Sequence, residues 1–412
     1  RQEMLLVCFT LAAIACIFRY TQSKRKIWLA LAGVSLGLMH ATKETFIIAC
    51  GSAFLAAILA MLTTKGKTAA IKKIRDYLTL KNILCFAVPA IAVSVIFFSS
   101  FFQNPQGIID SFTTYGTYFN RAGEGGSVHH HPWYFYLKIL LFYKFPSAPL
   151  WTEGLIVIMA VLGAVFAFQN KTARNQNTTF LRFIAFYTIS MTVIYALIPY
   201  KTPWCLLGFL SGMIILAAYA VDCILRTAKP MTLKIPTAII FVLLTAHLAL
   251  ISVYSNGKYE ASPANPYVYA HTTEDIVAAS QQIIAAAQSA ETGKNTPVQV
   301  ICPGNDYWPL PWYLRSLNNI GYWTGVTRNL PATSILLTAA TSADDEIDSI
   351  EGYLINHLYN IQPPGEKDLY VPLLKDYTRL RPGVELRGYV TNDLWNKTYS
   401  EPLDPSMLEK KD

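Results

Sequence analysis

Long apolar runs occur at eight places in the first 257 residues, and they restrict the possible folds of this chain more than any other feature. A helix that crosses a bilayer needs about 20 mostly apolar residues, or fewer when it is short or tilted. Of the 412 residues, 53% are hydrophobic and 15% are charged, which is outside the usual range of soluble proteins. The sequence therefore predicts a bundle of eight spans, at 3–20, 27–42, 45–62, 82–102, 150–168, 180–198, 203–221 and 235–254.

Lys and Arg residues are concentrated in alternate connections between these runs. The richer set holds 14 of them and lies at 21–27, 63–81, 169–179 and 222–234. The poorer set holds 5 and lies at 43–44, 103–149 and 199–202. Cytoplasmic loops carry an excess of Lys and Arg, so we expect the richer set inside the cell and the chain in the plasma membrane. Basic residues in separate loops, with no single basic face, argue against a nucleic-acid partner.

The segment from Pro132 to Pro149, within the outer loop 103–149, is aromatic and apolar but carries Lys138 and Lys144. A full crossing there would reverse the orientation of every later connection. We therefore expect a helix that lies on the outer membrane surface, with Trp133, Tyr134, Tyr136 and Trp151 at headgroup depth. A short re-entrant helix is the alternative.

The pattern changes at Lys258 to that of a soluble domain. Residues 1–257 carry 22 Lys and Arg against 7 Asp and Glu, whereas residues 258–412 carry 12 against 19. We expect helices from a cap at Thr272 or Thr273 to about Ala290 and over Asp344–Tyr359, and strands at Pro297–Ile301, Ser334–Thr338 and Leu386–Val390. The predicted architecture is mainly α: a polytopic membrane helix bundle at 1–257, followed by a small extracytoplasmic α/β domain at 258–412.

Charged residues at the outer ends of the spans are costly unless they are paired, solvated or functional. Glu3 begins the first span, where it either complements the helix dipole or acts as a base or a group that positions a metal or hydroxyl. Lys43 and Glu44 either solvate a helix hairpin or give Lys43 an anionic ligand. Lys201, in Pro199-Tyr-Lys-Thr-Pro-Trp204, either snorkels from a rigid turn or takes part in binding.

Aromatic and histidine residues form the remaining candidates. The run His129-His-His131 is a weak metal signal, and we favour polar substrate contacts or a solvated loop. Six of the seven cysteines lie in or beside apolar segments, so we expect neither a disulfide framework nor a zinc cluster. The cluster Asp306–Arg315 suits core packing, membrane contact or stacking on sugars. The sequence has no glycine loop of the Walker or Rossmann type, which removes support for a nucleotide-driven mechanism.

Five segments together resemble the flippase-activity-associated membrane proteins of prokaryotic glycosylation. That family lies within the protein-mannosyltransferase-like superfamily of C-type glycosyltransferases, and the resemblance covers nearly the whole chain. Its most specific strings are Lys-Thr-Pro-Trp and Tyr-Trp-Pro-Leu-Pro-Trp. The segments are Ala41–Phe46, His131–Tyr136, Pro199–Trp204, Asp306–Arg315 and Leu380–Tyr389.

This resemblance implies a membrane enzyme that takes a sugar from a polyprenyl-phosphate carrier and transfers it to a glycan or protein acceptor on the outer face. It makes Glu3 the catalytic acidic group, and a divalent metal is compatible with it. It also implies a further acidic residue in a first outer loop, which we expect upstream of Arg1. A non-catalytic accessory protein for moving lipid-linked saccharides is the alternative function.

The same resemblance distributes roles over the outer ends of the spans. Lys43, Lys201 and Arg1 would bind the donor phosphate. The substrate-binding residues would be Glu44, His131, Trp133, Tyr200 and Trp204.

Overall fold

The structure is a computed structural model in which the chain divides into two compact units, Arg1–Gly257 and Lys258–Asp412. The described residues are 2–65, 67–123, 130–146, 148–169, 177–227, 231–269, 271–302, 305, 307–325, 333–341, 348, 351–352, 355–356, 360, 369–375, 378–381 and 383–399. The first unit is helical, and the second is built around a mixed sheet.

The helices of the first unit follow the apolar runs and also occur in two of the longer connections. They are α1 (Glu3–Ser23), α2 (Ile27–Thr42), α3 (Phe46–Lys65), α4 (Lys67–Tyr77), α5 (Leu80–Phe98), α6 (Gln106–Gly123), α7 (Phe135–Leu141), α8 (Gly154–Gln169), α9 (Thr178–Leu197), α10 (Leu207–Thr227) and α11 (Met231–Asn256). A 3-10 turn at Pro203–Leu206 leads directly into α10.

Six helices among the described residues are long and apolar enough to cross a membrane: α1, α3, α5, α9, α11, and α10 together with its 3-10 turn. The first unit is therefore a bundle of the multi-pass membrane type. Helices α2 and α8 are equally apolar but have only 16 residues each. A complete crossing by these two stays a prediction.

Both short helices pack closely against a longer one through glycine. A Cβ atom at Gly33 of α2 would lie 2.0 Å from the Phe86 carbonyl oxygen of α5, and one at Gly163 of α8 would lie 2.1 Å from the Leu216 carbonyl oxygen of α10. Contacts this short leave no room for a side chain. Small residues bring helix backbones together in membranes, where lipid tails remove the hydrophobic drive for association.

The predicted span boundaries are approximate, and at two of them the structure shows why the helix stops or starts where it does. The span predicted over 82–102 ends at Phe98, because Ser100, Phe101 and Phe102 adopt left-handed backbone angles in a turn. Apolarity continues through this turn, so composition did not reveal where the helix ends. The span predicted to start at residue 150 begins at Gly154, since the residues before it form a strand.

The helix predicted over Pro132–Pro149 forms only in its first part, and its position on the membrane surface stays a prediction. Helix α7 ends at Leu141, and a two-stranded antiparallel hairpin follows, made of β1 (Tyr143–Lys144) and β2 (Leu150–Trp151). The Lys144 ammonium donates to the Ala148 carbonyl within the hairpin. The Trp151 side chain is fully buried, which fixes the hairpin to the bundle.

The second unit has a six-stranded mixed sheet. Its strands are β3 (Val298–Ile301), β4 (Ile320–Trp323), β5 (Ile335–Thr341), β6 (Tyr370–Pro372), β7 (Arg379–Arg381) and β8 (Val384–Thr391). The order is β4-β3-β5-β8-β6, with β7 also paired to β8. Strand β3 runs parallel to β4 and β5, whereas β8 runs antiparallel to its neighbours. The predicted strands therefore lie at the centre of the sheet.

Among the described residues, the helices with defined ends beside this sheet are α12 (Asp275–Ser289), α13 (Leu310–Tyr313) and α14 (Asn392–Thr398). The main core contains Ile276 and Ile283 from α12 and Val300 from β3. The predicted threonine cap of α12 is wrong. Glu274 occupies the cap position, and the Thr273 hydroxyl donates to the Arg379 carbonyl instead. Most of the helix predicted over 344–359 lies outside the described residues.

Candidate active site

An ion pair joins the first residue of α1 to the residue that ends α2. Helices α1 and α2 are connected by a short loop and pack side by side, so the start of one lies beside the end of the other. Lys43 caps α2 in an extended conformation, which directs its chain away from the helix. The Lys43 ammonium donates to the Glu3 carboxylate, and both side chains are largely buried. A carboxylate and an ammonium are thus held together at one end of the bundle.

This pair lies in the wall of a narrow cleft with a volume of about 20 Å³, room for about one water molecule. The cleft is bounded by α1, α3, α9, the 3-10 turn and α10. Its lining consists of Glu3, Leu6, Val7, Thr10, Lys43, Thr45, Ala49, Tyr187, Met191, Tyr195, Trp204, Cys205, Gly208 and Ser211. Aromatic and apolar side chains predominate, and hydroxyl, thiol and charged groups are placed among them. Such a lining suits a ligand with both an apolar and a polar part.

Segment 130–136 packs on the connection between α9 and the 3-10 turn. His130 and Tyr200 form an isolated antiparallel bridge, and the His131 amide donates to the Pro199 carbonyl over 3.2 Å. The Tyr136 hydroxyl donates to the Thr202 carbonyl, also over 3.2 Å. Two segments far apart in sequence are therefore joined at the end of the bundle that carries the cleft.

Tyr136 connects this joined region to the wall of the cleft. Its ring is buried and lies with its edge towards Tyr195, with the centroids 6.5 Å apart. It also packs against the Phe209 ring of α10, with the two ring centroids 5.6 Å apart. Burial raises the pKa of Tyr136, so its phenol stays protonated and acts as a hydrogen-bond donor. This makes Tyr136 a structural link between the loop and the cleft.

Three of the residues predicted from the sequence line the cleft together: Glu3, Lys43 and Trp204. Glu44 is half-buried and is not among the described lining residues. Adjacent residues point in different directions, which explains why only one of the Lys43–Glu44 pair faces the cleft. Arg1 lies outside the described residues.

Lys201 is placed differently from Lys43. Its side chain is 1% exposed, and its ammonium donates to the Ile198 carbonyl at the end of α9. Burial lowers the pKa of Lys201. It is not among the described residues that line the cleft. Binding a phosphate would require the buried Lys201 ammonium to become accessible, so that role stays a prediction.

The remaining predicted residues lie near the joined loops. The His131 ring stacks on Phe135 with centroids 4.1 Å apart. Trp133 and Tyr200 are exposed, as expected for side chains that meet a ligand or the membrane surface. In the described part of the chain, no three His, Cys, Asp or Glu side chains are grouped so that they could hold a metal ion.

Several cleft residues were missed by sequence reasoning because they lie inside apolar runs. Tyr187, Met191 and Tyr195 recur every four residues on α9, so one face of that helix points at the cleft. A repeat of tyrosines within a span is a signal that could have found them. Thr45 and Ser211 carry no comparable signal.

Comparison with protein-family models and with curated proteins finds no match for this chain. Its function therefore has to be inferred from the side chains of the cleft and of the loop packed beside it. The lining of the cleft contains a buried carboxylate paired with the partly exposed Lys43 ammonium, and the Trp204 ring.

Proposed function

We propose that this chain is a membrane glycosyltransferase that takes a sugar from a polyprenyl-phosphate donor. The acceptor is a glycan or protein on the outer face of the membrane. The observation that carries the proposal is the Glu3–Lys43 pair in the wall of a mostly apolar cleft within a membrane-type bundle.

The donor has three parts, and the lining of the cleft offers a partner for each once the helices move apart to admit it. Lys43 supplies a cation for the phosphate. Trp204 offers an aromatic face on which a sugar ring can stack. The apolar faces of α1 and α9, with Leu6 and Met191, offer a surface for the lipid chain. The resemblance to C-type glycosyltransferases supports the same reaction, and the distribution of Lys and Arg supports an outward-facing site.

In the proposed reaction, the donor phosphate replaces the Glu3 carboxylate as the ion-pair partner of the Lys43 ammonium. A carboxylate that loses its cationic partner in a buried place accepts a proton more readily. Glu3 then removes the proton from an acceptor hydroxyl, whose oxygen bonds to the anomeric carbon of the sugar. The bond from that carbon to the phosphate oxygen breaks, and polyprenyl phosphate leaves with the electron pair.

The test uses the full-length protein in liposomes with a synthetic polyprenyl-phosphate hexose, and it measures release of polyprenyl phosphate. Glu3→Gln should reduce turnover by roughly 10²- to 10⁴-fold, the contribution of a general base, with donor binding kept. Lys43→Met should weaken donor binding. Lys138→Met is the matched control, because Lys138 is an exposed lysine on α7.

Unchanged turnover in both cleft variants would overturn the proposal. Movement of a labelled lipid-linked sugar across the bilayer, without release of polyprenyl phosphate, would instead support the accessory function. The two functions differ in whether free polyprenyl phosphate is released, and both are measured in the same vesicles.

A further inference from the structure

The turn at residues 307–315, called here the tryptophan turn, presents two indoles to the outside of the second unit. Trp308 is 58% exposed and Trp312 is 62% exposed. Large aromatic side chains dominate the energetics of cores and interfaces, so two neighbouring exposed ones mark a contact surface.

Helical phase explains why the Trp312 indole faces outwards. Leu310 and Leu314 are fully buried in the core, and they lie four residues apart on one face of the turn. A helix rotates by about 100° per residue, so a residue two positions from a buried leucine faces roughly the opposite way. Trp312 lies at that spacing within the helix, whereas Trp308 precedes the helix and is exposed before its first turn. The turn is amphipathic, with tryptophan where a soluble domain normally has polar side chains.

The tryptophan turn is held in place before it meets any partner. The ring of Tyr307 packs on Tyr322 of β4, with centroids 4.7 Å apart. The Arg315 guanidinium lies 4.3 Å from the centre of the Trp312 ring and donates to the Trp312 carbonyl over 2.6 Å. The exposed surface therefore combines two indoles with one cation on a fixed backbone.

We propose that Trp308 and Trp312 insert into the headgroup layer of the membrane and dock the second unit on lipid. Helix α11, a candidate span, ends at Asn256, and the second unit begins at Lys258, so the chain enters this unit at a bilayer surface. Tryptophan is enriched at headgroup depth, where its ring meets lipid and its N–H meets water.

The charge of the second unit indicates which lipid chemistry is involved. Residues 258–412 carry 12 Lys and Arg against 19 Asp and Glu, so general attraction to anionic lipid is absent. A zwitterionic phosphocholine headgroup fits the turn better, because its phosphate can meet Arg315 and its quaternary ammonium can meet an indole face. Docking should therefore occur on phosphatidylcholine alone.

The test places the full chain in phosphatidylcholine nanodiscs whose acyl chains carry bromine near the headgroup. Bromine quenches tryptophan emission only at short range. The difference in emission between the wild type and W308F/W312F gives the contribution of these two indoles. This contribution should be strongly quenched by the brominated lipid. Phenylalanine at two exposed positions leaves the core untouched. W395F is the matched control, since Trp395 is partly buried against Tyr399, and its emission should not be quenched in this way.

Two outcomes would overturn the proposal. In the first, the emission of Trp308 and Trp312 is quenched by acrylamide from water and is unaffected by brominated lipid. In the second, a soluble hexose oligosaccharide protects this emission from acrylamide while brominated lipid has no effect, which would assign the turn to a glycan. Neither outcome depends on glycosyltransferase activity, so this test is separate from the one above.

Discussion

Two largely buried cations of the bundle are held in different ways. Arg182 lies near the start of α9, and Lys43 lies at the end of α2, beside the other end of α9. At the first turn, Arg182 is 6% exposed and donates to carbonyl oxygens of Thr63, Ala167 and Phe168. These carbonyls lie in the last turns of α3 and α8. At the other end of the bundle, Lys43 pairs with the carboxylate of Glu3 in the wall of the cleft.

The difference lies in what each partner can do. Helix-end carbonyls have no donor within their own helix and cannot move without unfolding it, so Arg182 acts as a fixed clamp between three helices. A carboxylate on a side chain can be replaced by another anion. A ligand anion can therefore replace Glu3 as the partner of Lys43, whereas the hydrogen bonds of Arg182 stabilise the fold.

The largest effect should come from breaking the clamp. Arg182→Met leaves three carbonyls without this donor and removes a bridge between α3, α8 and α9. We expect a loss on the order of 3 kcal/mol in the free energy of unfolding, since each buried polar group left unpaired costs about 1–3 kcal/mol. Unfolding by SDS in mixed micelles measures this change.

Arg226→Met is the matched control for the clamp. Arg226 is exposed and pairs with Asp222 one turn away on the same helix, an arrangement that contributes little. Its removal should leave the unfolding curve unchanged. Equal stability of Arg182→Met and the wild type would show that the clamp is not structural.

A smaller effect is expected at the exchangeable pair. Glu3→Gln and Lys43→Met each leave one charge without its partner, so each should destabilise the bundle. The double variant should recover part of the loss, with a coupling energy of roughly 1–3 kcal/mol. The same unfolding assay on the four proteins of the cycle measures it. Additive single effects would mean that the pair contributes no coupling, and the contrast with Arg182 would then be lost.

Much of the fold is predictable because it depends on composition. Each of the eight apolar runs corresponds to a helix, since apolar length alone decides whether a segment can be buried in lipid. Helix ends are less predictable. The turn after α5 is as apolar as the helix before it, and the local backbone geometry at Ser100–Phe102 ends the helix. Helix α6 was not predicted, although Ile108, Phe112 and Tyr115 recur at helical spacing.

The candidate site is predictable only in part, for a related reason. Glu3, Lys43 and Trp204 are marked by charge or by position at the end of a span. Their convergence depends on how helices pack: Glu3 and Lys43 are 40 residues apart, and no local pattern connects them. Lys201 shows the limit of such reasoning, because its charge at a loop suggested binding while packing buried it against a carbonyl.

The smallest effect should be a pH dependence at Lys201. Burial lowers its pKa in the folded protein from the ordinary value of 10.5, so the unfolded chain binds more protons between the two values. The free energy of unfolding should therefore rise with pH in that window, as the folded protein no longer buries a charge. Lys201→Met should lose this rise, whereas Lys138→Met, at an exposed lysine, should keep it. Unfolding measured from neutral pH to 10.5 tests the difference, and identical slopes in all three proteins would show that Lys201 is solvated like an ordinary loop lysine.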